Sequence, residues 1–185
     1  MSEKSIQKKV QSGLLPILDY ACLHDQVLDL QEVFSRLMFD EVSIMILGYD
    51  PRSLAIEFPL VKAEKAFKEV MESIFYRNIV PIWNERMMMT DQNGKMVYDD
   101  DKFIRDFAFN LYAAGRDTIT SGLTWFFWLV ATHPSVEAKI LVELEENFGT
   151  VDGKKHQVLG IEDVKKLIYL HGALCESLRL FPPIS

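Results

Sequence analysis

The sequence has few cysteines, no excess of basic residues and no long apolar run, and each lack excludes a class of protein. Two cysteines in 185 residues cannot form the disulfide framework of a secreted scaffold, which favours a reducing compartment. The 20 Lys and Arg residues against 27 Asp and Glu give a net charge of −7. Because no basic excess is present to neutralise phosphates, we do not expect nucleic-acid binding.

Membrane spans and signal peptides are not expected either. No stretch of the chain reaches the roughly 20 apolar residues that a bilayer span needs. The most apolar window, residues 103–130, carries charges that predict a buried helix of a soluble domain: Arg105, Asp106, Arg116 and Asp117. With 49% hydrophobic residues, the chain is long enough to bury a sizeable core, and we expect one domain over residues 1–185.

Apolar residues recur at helical spacing along the chain, and turn residues separate the periodic segments. Gly48 and Gly149 suit helix C-termini, whereas Pro134 suits the first turn of a helix. No segment predicts a strand, so the pattern indicates an all-α domain. Its axis would be a long buried helix of roughly 45 Å at about residues 102–132. The predicted helices cover residues 25–47, 59–79, 102–132, 134–148 and 162–180.

The long predicted helix contains an unusual segment, A-G-R-D-T, at residues 114–118. Gly115 costs the helix roughly 1 kcal/mol relative to Ala. Thr118 can bond to the carbonyl group of Ala114, which bends or opens a helix. Asp117 and Thr118 beside such an opening could relay protons. The alternative, which these residues favour when taken alone, is a close helix crossing at Gly115 with Asp117 in a structural ion pair.

A second candidate is the pair Glu176 and Arg179, whose i,i+3 spacing places both on one helix face. Apolar neighbours favour burial, and a buried pair would be structural rather than catalytic. A solvated pair is the alternative. His171 and Cys175 could form half of a zinc site, but no second half is present, and a small buried thiol is favoured instead. No metal site is predicted.

Together, A-G-x-D-T in a long helix, E-x-x-R on a later helix and the following Pro-Pro resemble the cytochrome P450 family of haem-thiolate monooxygenases. Residues 39–67, 113–140 and 169–183 are similar to the plant branch that hydroxylates long-chain fatty acids and alkanes. The resemblance implies that the chain is the central helical portion of the P450 fold.

The resemblance also implies roles for single residues. Ala114 and Gly115 would form the oxygen-binding groove over the haem, and Asp117 and Thr118 would deliver protons to bound dioxygen. The family commonly has a second Thr or Ser after the first, where this chain has Ile119.

Two further pairs take roles from the same resemblance. Glu176 and Arg179 would lock the core on the haem side. Phe109 and Ala113, about one turn before the groove, would lie near the substrate. The implied cofactor is haem, and the implied partners are a long-chain aliphatic substrate and a reductase that passes electrons from NADPH. The family is expected at the endoplasmic reticulum membrane.

Several parts of the family pattern are not found in this sequence. The family's haem ligand is a cysteine in a glycine-containing loop beyond the E-x-x-R helix, and the chain stops at Ser185 before such a loop. No amino-terminal anchor or first sheet is present, and the join at residues 83–100 is shorter than in the family. We therefore expect an incomplete domain that is inactive alone and, lacking an anchor, cytosolic. The alternative is a non-enzymatic helical fragment or interaction protein.

Overall fold

The computed structural model describes residues 3–59, 62, 65, 100–149 and 158–183, with only the backbone for residues 100–109. Every regular element within these ranges is helical, which confirms the predicted all-α class. The helix predicted at residues 59–79 lies almost entirely outside the described residues. In chain order the elements are α1 (Glu3–Lys9), a π-helical segment (Val10–Leu14), α2 (Leu15–Leu23), α3 (Leu30–Leu47), α4 (Asp100–Thr132), α5 (Pro134–Phe148), α6 (Ile161–Val164) and α7 (Ile168–Leu180).

Helix α3 begins later than its apolar periodicity predicts, because Asp29 caps it. The Asp29 carboxylate accepts hydrogen bonds from the backbone N–H groups of Gln31 and Glu32, at 2.9 and 3.2 Å. These bonds satisfy donors that a helix N-terminus otherwise leaves unpaired. The predicted end is confirmed, since Gly48 follows the last helical residue with a φ of +67°. Glycine adopts this left-handed conformation without steric penalty.

Helix α4 is the long helix that the sequence predicts, with its start two residues earlier. At 1.5 Å per residue its 33 residues extend roughly 50 Å. His133 ends it, Pro134 opens α5, and Gly149 follows α5 with a φ of +80°. Helices α3 and α4 form the most extensive helix pair of the described chain. In the described part of the chain α4 is buried on the side that faces α3, while aromatic residues near its end, among them Trp128, are exposed.

The last predicted helix is broken into two, α6 and α7. Leu167 lies at the break and is almost completely buried. The new N-terminus of α7 is capped from another helix, because the Glu143 carboxylate on α5 accepts from the N–H groups of Tyr169 and Leu170 at 2.6 and 2.9 Å. The helix can break here because Leu167 is buried and Glu143 caps the new N-terminus. Neither contact can be predicted from the residues next to the break.

The N-terminal residues 3–23, for which no helix is predicted from the sequence, are helical throughout and pack on α3. The π-helical segment brings Gly13 against the loop after α3, where a Cβ atom at this position would lie 3.0 Å from Cδ2 of Leu54. The apolar core at this end joins α2, α3 and that loop. It consists of Ile17, Val33, Phe34, Leu37 and Leu54.

A buried ionic cluster holds the N-terminal helix to α3. Lys9 Nζ lies 2.6 Å from Asp40 Oδ2, and the two side chains are 7% and 0% exposed. Asp40 also accepts hydrogen bonds from Ser53 and Leu54 in the loop after α3. Lys9 reaches Asp50 as well, at 2.8 Å. One carboxylate therefore joins three segments that are distant in sequence.

Candidate active site on the long helix

One side of α4 presents a strip of short side chains in its middle turns. Ala114, Asp117, Thr118 and Ser121 recur at spacings of three and four residues, which places them on one face of the helix. We call these four residues the open strip, because each is exposed or half-buried in the described structure. A flat or small ligand could approach the helix backbone here without meeting a large side chain.

Gly115 lies on the other side of α4, against α3. A Cβ atom there would lie 3.1 Å from Cγ2 of Val42, which is tighter than ordinary van der Waals contact. The glycine therefore allows a close helix crossing, as the structural alternative in the sequence predicts. Gly122 has a similar position against α7, with a Cβ atom 3.3 Å from Cδ2 of Leu178.

Thr118 makes the hydrogen bond that its sequence context predicts. Its hydroxyl Oγ1 donates to the carbonyl oxygen of Ala114 at 2.6 Å. The hydroxyl proton is used in this bond. The lone pairs of the Thr118 oxygen remain available to accept a hydrogen bond from a molecule on the open strip. The bond joins two members of the strip within one helical turn.

Asp117 is both ion-paired and partly solvated. Its Oδ1 lies 3.4 Å from Nη1 of Arg116, and its side chain is 46% exposed. Burial raises the pKa of Asp117 above its ordinary value, while the nearby charge of Arg116 lowers it. Burial has the larger effect, so this carboxyl group holds a proton more readily than a free aspartate. The ion pair of the structural alternative and a proton-holding acid are thus present in the same residue.

Arg116 is a buried charge between α3 and α4 to which the sequence alone assigns no role. The residue is 4% exposed, and its Nη2 donates to Oγ of Ser35 on α3. Its Nε donates to the Ser35 carbonyl oxygen at 3.4 Å. A charged residue inside an apolar helix was the available signal, but the sequence does not say which partner it meets.

Glu176 and Arg179 form a two-pronged pair on α7, but the pair is not buried. Arg179 donates through Nε to Oε2 at 2.8 Å and through Nη2 to Oε1 at 2.6 Å. The two side chains are 55% and 66% exposed, so the burial expected from apolar neighbours is wrong for the described structure. Apolar neighbours such as Leu178 and Leu180 are themselves exposed, and the buried residue of α7 is Ser177. The hydrogen bond from Arg179 lowers the pKa of Glu176.

The two residues predicted near the substrate are only partly described. Ala113 is half-buried and directly precedes the open strip. Phe109 lies on α4, four residues before Ala113, where the structure describes the backbone alone. Both predictions therefore stay predictions.

Cys175 is not the buried thiol that the sequence favours. Cys22 and Cys175 are both exposed and free, on α2 and α7. Cys175 Sγ lies 3.8 Å from Nδ1 of His171, one turn earlier. Among the residues that the structure describes, no group of three or more His, Cys, Asp or Glu side chains could hold a metal ion.

Comparison with known proteins decides the family. The family model described as Cytochrome P450 matches residues 62–185. The chain belongs to the cytochrome P450 family. This confirms the resemblance, and the matched residues include the whole open strip and the pair on α7.

Curated relatives match along all or nearly all of the chain. Alkane hydroxylase MAH1 of Arabidopsis thaliana is 35% identical over 237 residues, covering 100% of this chain and 46% of the relative. Cytochrome P450 94C1 of the same species is 31% identical, covering 97% and 44%. Noroxomaritidine synthase of Narcissus aff. pseudonarcissus MK-2014 is 31% identical, covering 100% and 45%. The chain spans about half the length of the curated relatives it matches.

The match to the alkane hydroxylase is longer than the chain itself. Its 237 residues exceed the 185 of this P450, so the relative has residues inside the matched region that this chain lacks. The shortened join expected at residues 83–100 lies almost entirely outside the described residues. Among the described helices, none is long and apolar enough to cross a membrane.

Haem is the cofactor that the family implies, and the described residues fit one side of it. The open strip offers short side chains and two hydroxyl groups, those of Thr118 and Ser121, which suits close approach of a flat ring. The axial thiolate is not supplied in the described part of the chain, because Cys22 and Cys175 each lie within a helix and not in a glycine-containing loop. Among the described residues, the candidates for contact with haem therefore lie on one side of it alone.

Proposed function

We propose that this P450 carries the oxygen-activating helix of a haem-dependent monooxygenase that hydroxylates long-chain aliphatic substrates, either fatty acids or alkanes. The observation that carries the proposal is the open strip, where Thr118 is bonded to the Ala114 carbonyl group beside the half-exposed acid Asp117. The relative named as an alkane hydroxylase supports an aliphatic substrate. Electrons would come from NADPH through a reductase partner at the endoplasmic reticulum membrane.

The chain's own residues would transfer protons and shape the space that oxygen and substrate enter. When bound, haem supplies the iron at which dioxygen is reduced, so that one oxygen atom enters a C–H bond and the other leaves as water. This reaction consumes two electrons and two protons. To pass a proton across the open strip, the Thr118 hydroxyl would exchange its bond to the Ala114 carbonyl oxygen for one to the bound molecule. Asp117 would replace that proton from solvent, to which it is half exposed. Because burial raises its pKa, the Asp117 carboxyl group holds a proton more readily than a free aspartate, which suits a residue that passes protons on.

Other residues of α4 would shape the space for oxygen and substrate. Ala114 presents only a methyl group on the exposed side of α4, and Gly115 lets the helix backbone approach α3 closely. Ala113 and Phe109 would line the substrate side. Glu176 and Arg179 would act structurally, since their forked pair fixes two side chains on the exposed surface of α7.

Substitution of Thr118 tests the proton-carrying role. We expect Thr118→Ala in the complete enzyme to uncouple NADPH consumption from hydroxylated product, because the hydroxyl group that carries protons is lost. The matched control is Thr124→Ala, because Thr124 makes the same hydrogen bond on the same helix, from Oγ1 to the Thr120 carbonyl oxygen at 2.8 Å. Loss of a proton carrier typically costs about a hundredfold or more in rate.

The measurement is the ratio of product formed to NADPH consumed, with alkanes and fatty acids as substrates and mass spectrometry of the products. Full coupling in Thr118→Ala, or equal uncoupling in Thr124→Ala, would remove the assigned role. Hydroxylation of neither substrate class by an active enzyme would overturn the aliphatic assignment.

We also propose that the 185-residue chain is inactive alone. Neither of its two cysteines lies in a glycine-containing loop of the kind that carries the haem ligand in the family. Sequencing of the transcript beyond Ser185 and across residues 83–100 tests this directly. An in-frame, glycine-framed cysteine loop would make the chain part of a working hydroxylase. A message that ends at Ser185 would favour the non-enzymatic alternative. Turnover by the purified 185-residue chain would contradict the proposed inactivity.

A further inference from the structure

Arg116 connects the packing of α3 against α4 to the acid on the open strip. Consecutive helical residues point about 100° apart, so Arg116 faces α3 while Asp117 faces outward. The Arg116 guanidinium nevertheless reaches both sides. Nη2 and Nε bond to Ser35 on α3, and Nη1 lies 3.4 Å from Oδ1 of Asp117. One planar group therefore spans the helix contact and the proposed proton carrier.

We propose that Arg116, fixed to α3 through Ser35, is a positioning residue that holds the carboxyl group of Asp117 beside Thr118. The inference rests on the proposed function of Asp117 and Thr118 in proton transfer. A guanidinium group is planar and its N–H donors have fixed directions. Once two of its nitrogens are bonded to Ser35, the direction of Nη1 is set, and with it the preferred place of the Asp117 carboxylate.

Burial makes this arrangement specific. Arg116 is 4% exposed and Ser35 is 8% exposed, so both lie in the helix contact and not on the surface. A guanidinium group at this depth needs acceptors and negative charge near it. Ser35 supplies two oxygen acceptors, and Asp117 supplies charge from the solvent side.

The electrostatic consequence for Asp117 can be measured. Burial raises the pKa of this carboxyl group, and Arg116 is the charged residue that acts against it among the described groups. Ser35 on α3 and Thr118 on α4 carry no charge. Removing the guanidinium would leave burial unopposed, so the pKa of Asp117 would rise.

The experiment measures the Asp117 pKa by nuclear magnetic resonance of isotope-labelled aspartate in the complete protein, with Asp117→Asn to assign the signal. We expect Arg116→Met to shift this pKa upward. Arg116→Lys, which keeps the charge but not the fork, should give a smaller upward shift, and so should Ser35→Ala. The matched control is Arg36→Met, because Arg36 is another largely buried arginine of the α3 region, bonded to Glu32 at 2.8 Å. Arg36→Met should leave the pKa of Asp117 unchanged.

A second readout separates positioning from general stability. In the enzyme, the pH dependence of coupling should move to higher pH in Arg116→Met and return part of the way in Arg116→Lys. A merely structural role for Arg116 would not produce this shift. An unchanged Asp117 pKa in folded Arg116→Met and Ser35→Ala variants would overturn the inference, as would an equal shift in Arg36→Met. If Asp117→Asn remains fully coupled, the proposed relay fails, while the pKa measurement still decides whether Arg116 controls Asp117.

Discussion

The buried ion pair of Lys9 and Asp40 gives the sharpest stability prediction. Asp40→Asn keeps the shape of the side chain but removes the charge that Lys9 meets at 2.6 Å. Lys9 would then keep its ion pair with Asp50, at 2.8 Å, and its side chain is only 7% exposed. The change therefore leaves a buried ammonium group with a weakened counter-charge.

The expected cost is large for a single substitution. Removing one partner of a buried ion pair typically costs about 3–5 kcal/mol, because the other charge is left buried and poorly compensated. For a chain of about this length, each kcal/mol lowers the melting temperature by about 2–4 °C. The expected decrease is thus roughly 6–20 °C.

Thermal unfolding of the 185-residue chain, followed by circular dichroism, measures this decrease. The control is Lys165→Met, since Lys165 and Glu162 lie at the same distance of 2.6 Å but are 64% and 82% exposed. Exposed pairs contribute little, so the control should melt close to the unmodified protein. In the double variant Lys9→Met with Asp40→Asn, the loss should be smaller than the sum of the two single losses. Equal melting temperatures for the Asp40→Asn and Lys165→Met variants would refute the reasoning.

Two further predictions concern a buried acid and the helix glycines. Burial raises the pKa of Glu41, so the folded state binds this proton more tightly, and stability is lost as the pH rises from about 4.5 through the raised value. Glu41→Gln should therefore stabilise the protein at neutral pH and not below the ordinary glutamate pKa. Gly172→Ala should stabilise α7 by about 1 kcal/mol, because a Cβ atom there meets nothing within 4 Å. Gly115→Ala should lose this gain, because its Cβ atom would press on Val42.

Denaturant titrations at several pH values measure both effects. For Glu41, the exposed Glu145→Gln is the control, and a pH-independent difference between Glu41→Gln and the unmodified protein would contradict the prediction. For the glycines, the combination of Gly115→Ala with Val42→Ala should remove the close contact. Equal stabilisation by Gly115→Ala and Gly172→Ala would show that the α3–α4 crossing has room for a methyl group.

The helix ends illustrate what local sequence can specify. Gly48, Pro134 and Gly149 mark ends or starts that the structure confirms, because their backbone preferences act within one or two residues. The bond from Thr118 to Ala114 was predictable for the same reason, since the two residues lie one helical turn apart.

Exposure was decided by the tertiary structure. The apolar neighbours of Glu176 and Arg179 suggested burial, yet the pair lies on the uncovered face of α7 in the described chain. A helical pattern gives the relative directions of side chains, but burial depends on which other elements cover each face.

The family and its motif were determined by the sequence alone, because A-G-x-D-T and E-x-x-R are short patterns that can be compared without a structure. The contacts that control these motifs were decided by the fold. Arg116 meets Ser35 across 81 positions, and Lys9 meets Asp40 across 31, and no local propensity selects such partners. They meet because the packing of α1 and α4 on α3 brings each buried charge to groups that can compensate it.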